Sequence, residues 1–489
     1  MAARGTAGYS SAGAAGAPAP TRVPERPMSD RPLPAEAHPL PIAVIGAGFS
    51  GTAAAIQLLA QLPPGRPVLL CERAERFGRG RAYATGNPDH LLNVRAANMS
   101  AFPDRPSQFE DWLAGADEAE GIRRTSAGTF AARGLYGRYL SELLTAAVTG
   151  PGAPRLQLVN EAITDIAPED GRLVLRSEGG RRFPAAGAVL AMGNLAAPEE
   201  PASRHRADPW NPDGFGRLHP DRAVLVVGTG LSMVDAVMNL RRHGFAGRIV
   251  ALSRRGQVST VHAPAGAWPL PDFSAGERAS LTRLLARIRR EVAAAAAVGV
   301  GWHGVLDALR PITDTLWLGL PEAEKARFLR HLRPFWDVHR HRAAPPAGAA
   351  IAAEIAAGTL EVRAARLLSI EDRPDEALVT CRPRGAGETE TFAVQCILDA
   401  RGIGRVAETA DPLLRRLIGR GLVRPGPFGI GLDVHPDLSV AGEVTGDLPA
   451  PLWTLGPLIR GVFWECTAVP DIRNQAAQLA RAVAERVRG

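Results

Sequence analysis

Lysine is nearly absent from this 489-residue sequence, in which Lys325 is the single lysine among 57 basic residues. This scarcity argues against Schiff-base catalysis, which depends on a lysine amine. The arginines are scattered along the chain rather than gathered in runs with aromatic side chains. We therefore expect no nucleic-acid partner, despite a formal net charge of +7.

Cysteine and long apolar runs are also scarce. The chain has four cysteines and no CxxC pair, which argues against a dithiol–disulfide reductase and against a cysteine-based zinc or iron–sulfur site. No run is long and apolar enough to cross a bilayer, so we expect no membrane partner. The N-terminus lacks a signal-peptide core, and reduced cysteines suit the cytoplasm, which is the predicted location.

The most informative stretch covers residues 42–72. An apolar run at 42–45, typical of a strand buried on both faces, is followed by GAGFSG at 46–51 and by a helix expected over 52–62. In such a GxGxxG turn the first glycine allows a tight turn and the second lets the backbone approach a pyrophosphate. The third lets the helix pack close to the sheet. The N–H groups at the start of the helix then face the phosphates.

A second apolar run, at residues 67–71, ends at Glu72, which lies 21 residues after Gly51. A carboxylate at this point can accept hydrogen bonds from both hydroxyls of an adenosine ribose. A glycine-rich surface turn is the alternative for the motif alone. The strand, the helix and the acidic residue together favour dinucleotide binding.

The same pattern restarts at residues 223–227, where an apolar strand leads into GTGLSM and a helix expected over 233–243. Met233 stands where the fingerprint has its third small residue, and it should push the helix away from the sheet. The next strand ends in Arg254 and Arg255 rather than in a carboxylate, and guanidinium groups suit the 2′-phosphate of NADP. Because arginine is abundant, chance adjacency is the alternative.

The rest of the chain supports a repeated architecture. Several short strands that end in a glycine turn follow each fingerprint, at residues 156–193 and 360–404. Residues 268–350 have helical periodicity instead, and we interpret them as a helical insertion. A metal site from its three clustered histidines is an alternative that lacks acidic partners, so we expect no metal. These histidines are His331, His339 and His341.

Six distinctive segments run through the chain: GAGFSGTAAAIQL, GRAYATGNPDHLLNV, VVGTGLSMVDAV, LSRRG, FLRHLRPFWDVHRHR and GVFWECTAVPDIRNQA. With them the sequence resembles, over about residues 40–485, a bacterial family of FAD/NAD(P)-binding proteins related to the flavin-dependent monooxygenases that include N-hydroxylases. The FxGxxxH pattern of Baeyer–Villiger monooxygenases is not found between the two fingerprints, which argues against that chemistry. The resemblance implies flavin chemistry without naming a substrate.

These patterns predict an α/β fold with two Rossmann-like, three-layer ββα dinucleotide-binding domains, the second inserted in the first, plus the helical insertion. Residues 1–38, rich in Ala, Pro, Gly and Ser, are expected to form a disordered tail. The predicted boundaries are 39–205 and 396–489 for the FAD-binding domain, 206–267 and 351–395 for the NADPH-binding domain, and 268–350 for the helical insertion.

The residues after each fingerprint assign the two cofactors. Glu72 suits FAD, whose ribose has a free 2′-hydroxyl, and would repel a 2′-phosphate. The arginines at 254 and 255 suit NADPH. The FAD site is expected to comprise Gly46, Gly48, Phe49, Ser50, Gly51, Glu72, Arg73, Arg81, Leu92, Asn93, Met99, Ile163 and Gly193. The NADPH site is expected to comprise Gly228, Thr229, Gly230, Leu231, Ser232, Arg254 and Arg255.

The expected activity is that of an FAD-containing, NADPH-dependent oxidoreductase. We expect a monooxygenase, in which NADPH reduces the flavin and a flavin C4a-hydroperoxide formed with O2 oxygenates a small molecule. One alternative is a flavin reductase or dehydrogenase that passes electrons to a quinone, a protein or O2. Another is a non-catalytic redox-sensing flavoprotein. No pattern in the sequence identifies catalytic side chains, the substrate or the oligomeric state.

Overall fold

A computed structural model describes residues 39–116, 120–150, 154–196, 201–211, 213, 215–443 and 451–488. The tail predicted at 1–38 lies outside the described residues.

The strands, numbered along the chain, are β1 (Ile42–Ile45), β2 (Val68–Cys71), β3 (Ile122–Thr125), β4 (Gly128–Ala131), β5 (Leu156–Val159), β6 (Ile163–Glu169), β7 (Arg172–Ser177), β8 (Arg182–Ala185), β9 (Gly187–Leu190), β10 (Arg206–Ala207), β11 (Val224–Val227), β12 (Ile249–Ser253), β13 (Leu360–Asp372), β14 (Ala377–Pro383), β15 (Glu390–Val394), β16 (Cys396–Asp399) and β17 (Leu452–Thr454). The α-helices are α1 (Phe49–Gln61), α2 (Gly80–Tyr83), α3 (Gln108–Ala114), α4 (Arg133–Thr149), α5 (Leu231–Arg242), α6 (Ala275–Arg278), α7 (Leu281–Ala297), α8 (Trp302–Leu309), α9 (Thr313–Gly319), α10 (Glu322–Arg327), α11 (Arg333–Arg340), α12 (Pro345–Ala356), α13 (Pro412–Gly419) and α14 (Val469–Arg488).

Five parallel strands form the sheet of the first domain, in the order β17-β9-β1-β2-β5. Strands β1, β2 and β9 are buried along their whole length, as expected for parallel strands that are covered on both faces. Helices α1, α4 and α14 pack on one face, and the antiparallel sheet β6-β7-β8 packs on the other with α13. The domain therefore has the three predicted layers.

The second domain repeats this arrangement around a sheet of order β10-β16-β11-β12-β13-β14-β15. Strand β13 runs parallel to β12 up to Ala364 and pairs with the antiparallel strand β14 from Ala365 onwards, with a bulge in that pairing between Leu367 and Ser369. Helices α5 and α12 cover one face of the parallel strands. The antiparallel end of the same sheet covers the other. Two like-built domains confirm the predicted fold class.

The order of strands also confirms that the second domain is inserted in the first, because the chain returns to the first sheet at β17. The predicted boundary at residue 396 is wrong for β16, however. This strand pairs along its full length with β11, so it completes the second sheet. Helix α12 likewise packs in the core of the second domain through Ala347 and Ile351, outside the helical insertion.

Helices α6 to α11 form the insertion between β12 and β13. The helical periodicity of residues 274–297 favours one helix, but the structure has two, because the Ser280 side chain accepts a hydrogen bond from the Arg283 N–H and starts a new helix. Helices α10 and α11 are joined by a π-helical turn, Phe328–Leu332, just before Pro334. Proline has no N–H for the regular helical bond, which accounts for the irregular turn.

Three differences from the predicted elements concern their ends and their size. Helices α1 and α5 begin at Phe49 and Leu231, directly after the second glycine of each fingerprint, so the third position lies inside the first turn. Strand β17 was not predicted, because three residues carry no recognisable periodicity. The glycines and prolines of residues 77–113 predict a loop, whereas this stretch contains α2 and α3. No helix among the described residues combines the length and apolarity needed to span a membrane.

Candidate dinucleotide-binding sites

The chain passes from β1 into α1 through a turn that only glycine can form. Gly46 has a φ of +98°, and a Cβ there would lie 2.5 Å from the carbonyl oxygen of Ala191, just beyond β9. A Cβ at Gly51, in the first turn of α1, would lie 1.7 Å from the carbonyl oxygen of Gly46. These two glycines are therefore required by the backbone of the protein itself.

Gly48 differs, because its surroundings leave room for a ligand. Its φ is −71°, and beyond its chain neighbours the atom nearest to a Cβ there would be the Cα of Gly80, at 3.5 Å. Gly48 caps α1, a 13-residue helix with no side-chain cap and no acidic residue in its first turn. The positive end of the helix is thus available to an anion such as a pyrophosphate.

Glu72, at the end of β2, is fixed beside this turn. Its carboxylate accepts hydrogen bonds from the backbone N–H groups of Ala47 (2.8 Å) and Ala74 (3.0 Å). The side-chain amide of Asn160 donates to the carbonyl oxygens of Glu72 and Ala74 and so holds the same turn. The carboxylate therefore lies at the edge of the glycine turn, where the predicted ribose contact requires it.

A glycine pair after Glu72 also belongs to this site. The N–H of Gly78 donates to the carbonyl oxygen of Ala47 at 2.8 Å, and Gly80 lies against Gly48. Gly78 and Gly80 are turn signals in the sequence, but the predicted FAD site does not include them. Two glycines so close after the ribose-binding acid were the signal that could have identified them.

The C-terminal segment reaches the same helix end from the other side. At Gly456, where φ is +72°, a Cβ would lie 2.8 Å from the Oγ of Ser50. The N–H of Gly456 donates to the side chain of Gln475 in α14 at 2.8 Å, which holds the turn in place. Gly80, from loop 78–99, and Gly456, from segment 442–464, therefore both contact the start of α1, and residues 444–450 lie outside the described part of the chain.

Among the other residues predicted for the FAD site, Phe49 belongs to the glycine turn itself and four lie outside residues 46–51. Phe49, Leu92 and Met99 are buried in the core between the first sheet and α4. Ile163 lies in the core on the opposite face of that sheet. Gly193, beyond β9, has a φ of +68° and nothing within 4 Å of a Cβ position. Contact of these five residues with the cofactor stays a prediction.

The remaining three predicted residues are polar. Arg73 is exposed next to Glu72. Arg81 forms an exposed ion pair with Asp208, at 2.6 Å. The carbonyl oxygen of Asn93 lies 2.9 Å from Nε2 of His262, a residue that follows β12 of the second domain. The stretch around Asn93 is therefore tied to the second domain.

The second glycine turn repeats the first. Gly228 has a φ of +119°, and a Cβ there would lie 2.3 Å from the carbonyl oxygen of Ala400, just beyond β16. Nothing lies within 4 Å of a Cβ position at Gly230, which caps α5, a helix without a side-chain cap or an acidic first turn. Met233 is fully buried between α5 and the sheet, so the core accommodates the departure from the fingerprint.

Polar groups fix the loop that follows β12. The hydroxyl of Thr229 lies 2.8 Å from that of Ser253 and donates to the carbonyl oxygen of Gln257 at 2.5 Å. The Oε1 atom of Gln257 is buried and has no partner in the described part of the protein. Gln257 is thus a candidate site residue that the sequence analysis missed, because glutamine carries no motif signal there.

The two arginines of this loop have different surroundings. Arg254 is exposed and makes no hydrogen bond or ion pair with any residue that the structure describes. Arg255 contacts the helical insertion, with its guanidinium 3.4 Å from the carbonyl oxygen of His331 and 5.1 Å from the ring centre of Phe335. Arg254 is therefore the guanidinium available to a phosphate, whereas Arg255 already has partners.

The helical insertion is joined to the C-terminal segment by buried polar contacts. The indole N–H of Trp317 donates to the carbonyl oxygen of Gly461 at 2.9 Å. The Oδ1 atom of Asp314 accepts from the N–H groups of Trp464 and Glu465, each at 2.8 Å. Burial raises the pKa of Asp314 to about 6, against the opposing effect of these two N–H groups.

Arginines complete this junction. Arg340 and Glu465 form an ion pair of 2.8 Å that is almost fully buried. Arg460 is buried as well, with its guanidinium carbon 4.7 Å from the ring centre of Trp464 and its Nε atom without a partner among the described residues. No motif predicted these side chains as site residues. Among the described residues, no three histidine, cysteine or acidic side chains gather as a metal ion would require.

Comparison with known proteins agrees with this description of the first site. Residues 43–195, which contain the first glycine turn and Glu72, match a family model described as FAD-NAD(P)-binding. The chain thus carries an FAD/NAD(P)-binding domain, as predicted for this region. A sequence search of curated proteins found no match.

Solved structures share the fold over nearly the whole chain. L-lysine 6-monooxygenase from Pseudomonas syringae superposes with a TM-score of 0.59 at 15% identity, covering 92% of this chain and 99% of that one. The ornithine N-hydroxylase of Kutzneria sp. 744, in a structure with reduced FAD, NADP+ and L-ornithine, superposes with a TM-score of 0.60 at 14% identity. This match covers 92% of this chain and 100% of that one. The FAD-bound cadaverine monooxygenase of Erwinia amylovora superposes with a TM-score of 0.59 at 12% identity, covering 91% of this chain and 95% of that one. The chain therefore shares the fold of these monooxygenases.

The raised pKa of Asp314 predicts a pH-dependent stability. Because the folded-state pKa, about 6, lies above that of an unfolded aspartate, the folded state binds the proton more tightly. Stability should therefore fall as pH rises from about 4 to about 6, and should change no further above that range. Asp314→Asn, which keeps an acceptor for both N–H groups, should be more stable than the parent at pH 7.5 by about 2 kcal/mol.

Urea unfolding of both proteins at several pH values would measure this difference. The advantage of Asp314→Asn should shrink as pH falls and vanish below about pH 3, where Asp314 is protonated in both the folded and the unfolded state. Asp314→Ala should be destabilised at every pH, because it removes the acceptor of two N–H groups. An Asn variant that is less stable than the parent at pH 7.5 would contradict the raised pKa.

Proposed function

We propose that the protein is an FAD-containing, NADPH-dependent oxidoreductase that acts as a monooxygenase on a small molecule. The observation that carries the proposal is that two glycine turns with the same backbone geometry have side chains of opposite charge beside them. A carboxylate, Glu72, lies beside the first turn, and Arg254, a guanidinium without a partner among the described residues, lies beside the second. Hydride transfer from a nicotinamide to a flavin requires one site for each nucleotide in one protein.

The first site suits FAD. The uncapped start of α1 at Gly48 fits a pyrophosphate, and Glu72 fits a ribose whose hydroxyls are both free. The turns at Gly80 and Gly456 contact the same helix end and would enclose a cofactor that stays bound. Their role would be to orient the cofactor and to exclude water.

The second site suits NADPH. The space at Gly230 is open, and Arg254 supplies a positive charge at the end of β12, the position that faces the adenosine ribose in dinucleotide-binding folds. A guanidinium in this position would bind a 2′-phosphate through charge-assisted hydrogen bonds. Its exposure suits a nucleotide that must exchange in every turnover.

Bound FAD would accept hydride from NADPH and activate O2. Oxygenation is favoured over thiol chemistry by the state of the cysteines. All four cysteines are buried and free, and burial raises the pKa of Cys71 to about 12 and that of Cys396 to about 11. Such thiols are inert, so they would not relay electrons to a disulfide. The similar folds of the lysine, ornithine and cadaverine monooxygenases also support oxygenation.

The first test separates oxygenation from the reductase alternative. NADPH oxidation, O2 uptake and H2O2 release would be followed in the purified, flavin-loaded protein across a panel of small amines and acids. For a monooxygenase, a true substrate should accelerate NADPH oxidation and lower the H2O2 released for each NADPH consumed. Rapid NADPH oxidation with a quinone acceptor, together with an unchanged H2O2 yield for every compound, would favour the reductase.

The second test assigns the two nucleotides with a pair of glycine variants. Gly48→Val should purify without flavin, because the added side chain occupies the space that a pyrophosphate needs. Gly230→Val should keep its flavin and resist bleaching by NADPH. Gly387→Val is the matched control, since a Cβ there also meets nothing within 4 Å and it lies in the distant turn between β14 and β15. The absorbance spectrum measures both effects, and the reverse pattern would mean that the two sites are exchanged.

The third test concerns the choice between NADPH and NADH. Arg254→Ala should lose about ten- to hundredfold of the preference for NADPH, because one or more charge-assisted hydrogen bonds of about 1.5–3 kcal/mol are lost. Arg255→Ala serves as the control, because that guanidinium already contacts His331 and Phe335 and should matter less. The ratio of kcat/KM for the two nucleotides is the measurement. Equal use of NADH by the parent protein would contradict the assignment.

A further inference from the structure

A cleft of about 570 Å³ opens between the first domain and the helical insertion. Its walls are the turn between β3 and β4, the stretch 264–268 and one side of α8. The volume falls within the range of small-molecule sites. Apolar groups, including Pro264, Trp268 and Ala308, form much of the lining. Among the lining residues that the structure describes, only Arg95 and Asp307 are titratable.

Arg95 is held as an anchored donor on the wall of the cleft. Its Nε donates to the carbonyl oxygen of Ala127 at 2.5 Å, and its Nη2 lies 3.4 Å from the carbonyl oxygen of Ala263. Gly128 has a φ of +120°, and a Cβ there would lie 3.0 Å from the Cδ of Arg95, so a glycine makes room for this side chain. The Nη1 atom lies 3.7 Å from Oδ2 of Asp307, beyond hydrogen-bond distance.

The negative charge of Asp307 is already balanced by a buried arginine, Arg342. Its Oδ1 atom accepts a hydrogen bond from Arg342, which is only 2% exposed. The carboxylate itself is 40% exposed. Two guanidinium groups thus surround one carboxylate, and the wall carries a net positive charge.

The other groups behind the wall do not cancel that charge. Burial lowers the pKa of His262 to about 4, with Arg342 and Arg95 acting in the same direction, so this imidazole is neutral at pH 7. Burial also lowers the pKa of His303. Glu291, which accepts from the indole N–H of Trp268, is paired with Arg287 at 2.7 Å. The excess positive charge therefore remains at Arg95.

The cleft adjoins the stretch predicted to contact the flavin. Arg95 follows Asn93 by two residues, and the carbonyl oxygen of Asn93 lies 2.9 Å from His262, just before the 264–268 wall. A molecule in the cleft would thus lie beside the segment on which both domains meet.

We propose that this cleft is the substrate site of the monooxygenase, an inference that rests on the proposed function. Its ligand is a small organic anion whose carboxylate binds Arg95 and whose apolar body packs against Trp268 and Pro264. A diamine such as cadaverine, the substrate named for one protein of similar fold, would bring two positive charges to a positive wall. The cleft would select against it.

Isothermal titration of the flavin-loaded protein, without NADPH, tests this charge preference. The probes are hexanoate, hexylamine and cadaverine, which share an aliphatic body and differ in charge. Hexanoate should bind at least about tenfold more tightly than hexylamine, the gain expected from one charge-assisted hydrogen bond. Equal or tighter binding of either amine would overturn the inference, as would the absence of saturation by hexanoate up to about 10 mM.

Three variants separate recognition from damage to the fold. Arg95→Gln should weaken hexanoate binding about tenfold or more, whereas Arg95→Lys should keep the preference for hexanoate. Asp307→Asn, which still offers an oxygen to Arg342, should bind hexanoate more tightly than the parent. A local distortion would not produce that gain, and weaker binding by Asp307→Asn would count against the inference.

Flavin content and NADPH-driven bleaching, measured on the same preparation, distinguish this inference from the proposed function. Normal bleaching without a preference for hexanoate would overturn the inference alone. Failed bleaching with a clear preference for hexanoate would overturn the proposed function and leave an anion-binding cleft.

Discussion

At Gly46 and again at Gly228 the chain leaves a buried parallel strand with a positive φ and enters a helix within three residues. At each turn the carbonyl oxygen of an alanine, Ala191 or Ala400, fills the space where a side chain would begin. Strand β9, which pairs in parallel with β1, places Ala191 there, and strand β16, which pairs in parallel with β11, places Ala400 there. This tight turn leaves the helix N-terminus uncapped at the edge of the sheet, which is the physical origin of both candidate nucleotide sites.

The two sites then differ through side chains that the turns do not determine. Glu72 is locked by two backbone N–H groups, whereas Arg254 extends into solvent. The difference makes one site suitable for a retained nucleotide and the other for one that exchanges. Polar contacts between the domains maintain the relation of the two sites, among them the ion pair of Arg133 with Asp235 at 3.0 Å.

The helical insertion acts on the first site through the C-terminal segment. Trp317 and Asp314 hold residues 461–465, a few residues beyond the turn at Gly456 that contacts the start of α1. A buried charge without a partner of opposite charge destabilises a fold. Arg340 and Glu465, from two segments far apart in the chain, are buried as an ion pair, so each has its partner. These contacts join an all-helical unit to a sheet domain with which it shares no strand.

Local periodicity and glycine spacing determined the two fingerprints, the repeated three-layer plan and the choice of Glu72, Arg254 and Arg255, because those signals lie within one strand–turn–helix unit. Only the tertiary structure decided the rest. It assigned β16 to the second sheet and brought Gly80 and Gly456 to the start of α1. It also placed Arg255 in contact with the helical insertion, whereas Arg254 has no partner among the described residues. It also gathered Arg95, Asp307 and Arg342 around one cleft. Each of these outcomes depends on contacts between residues far apart in the chain, and no local pattern encodes which distant residue will become the neighbour.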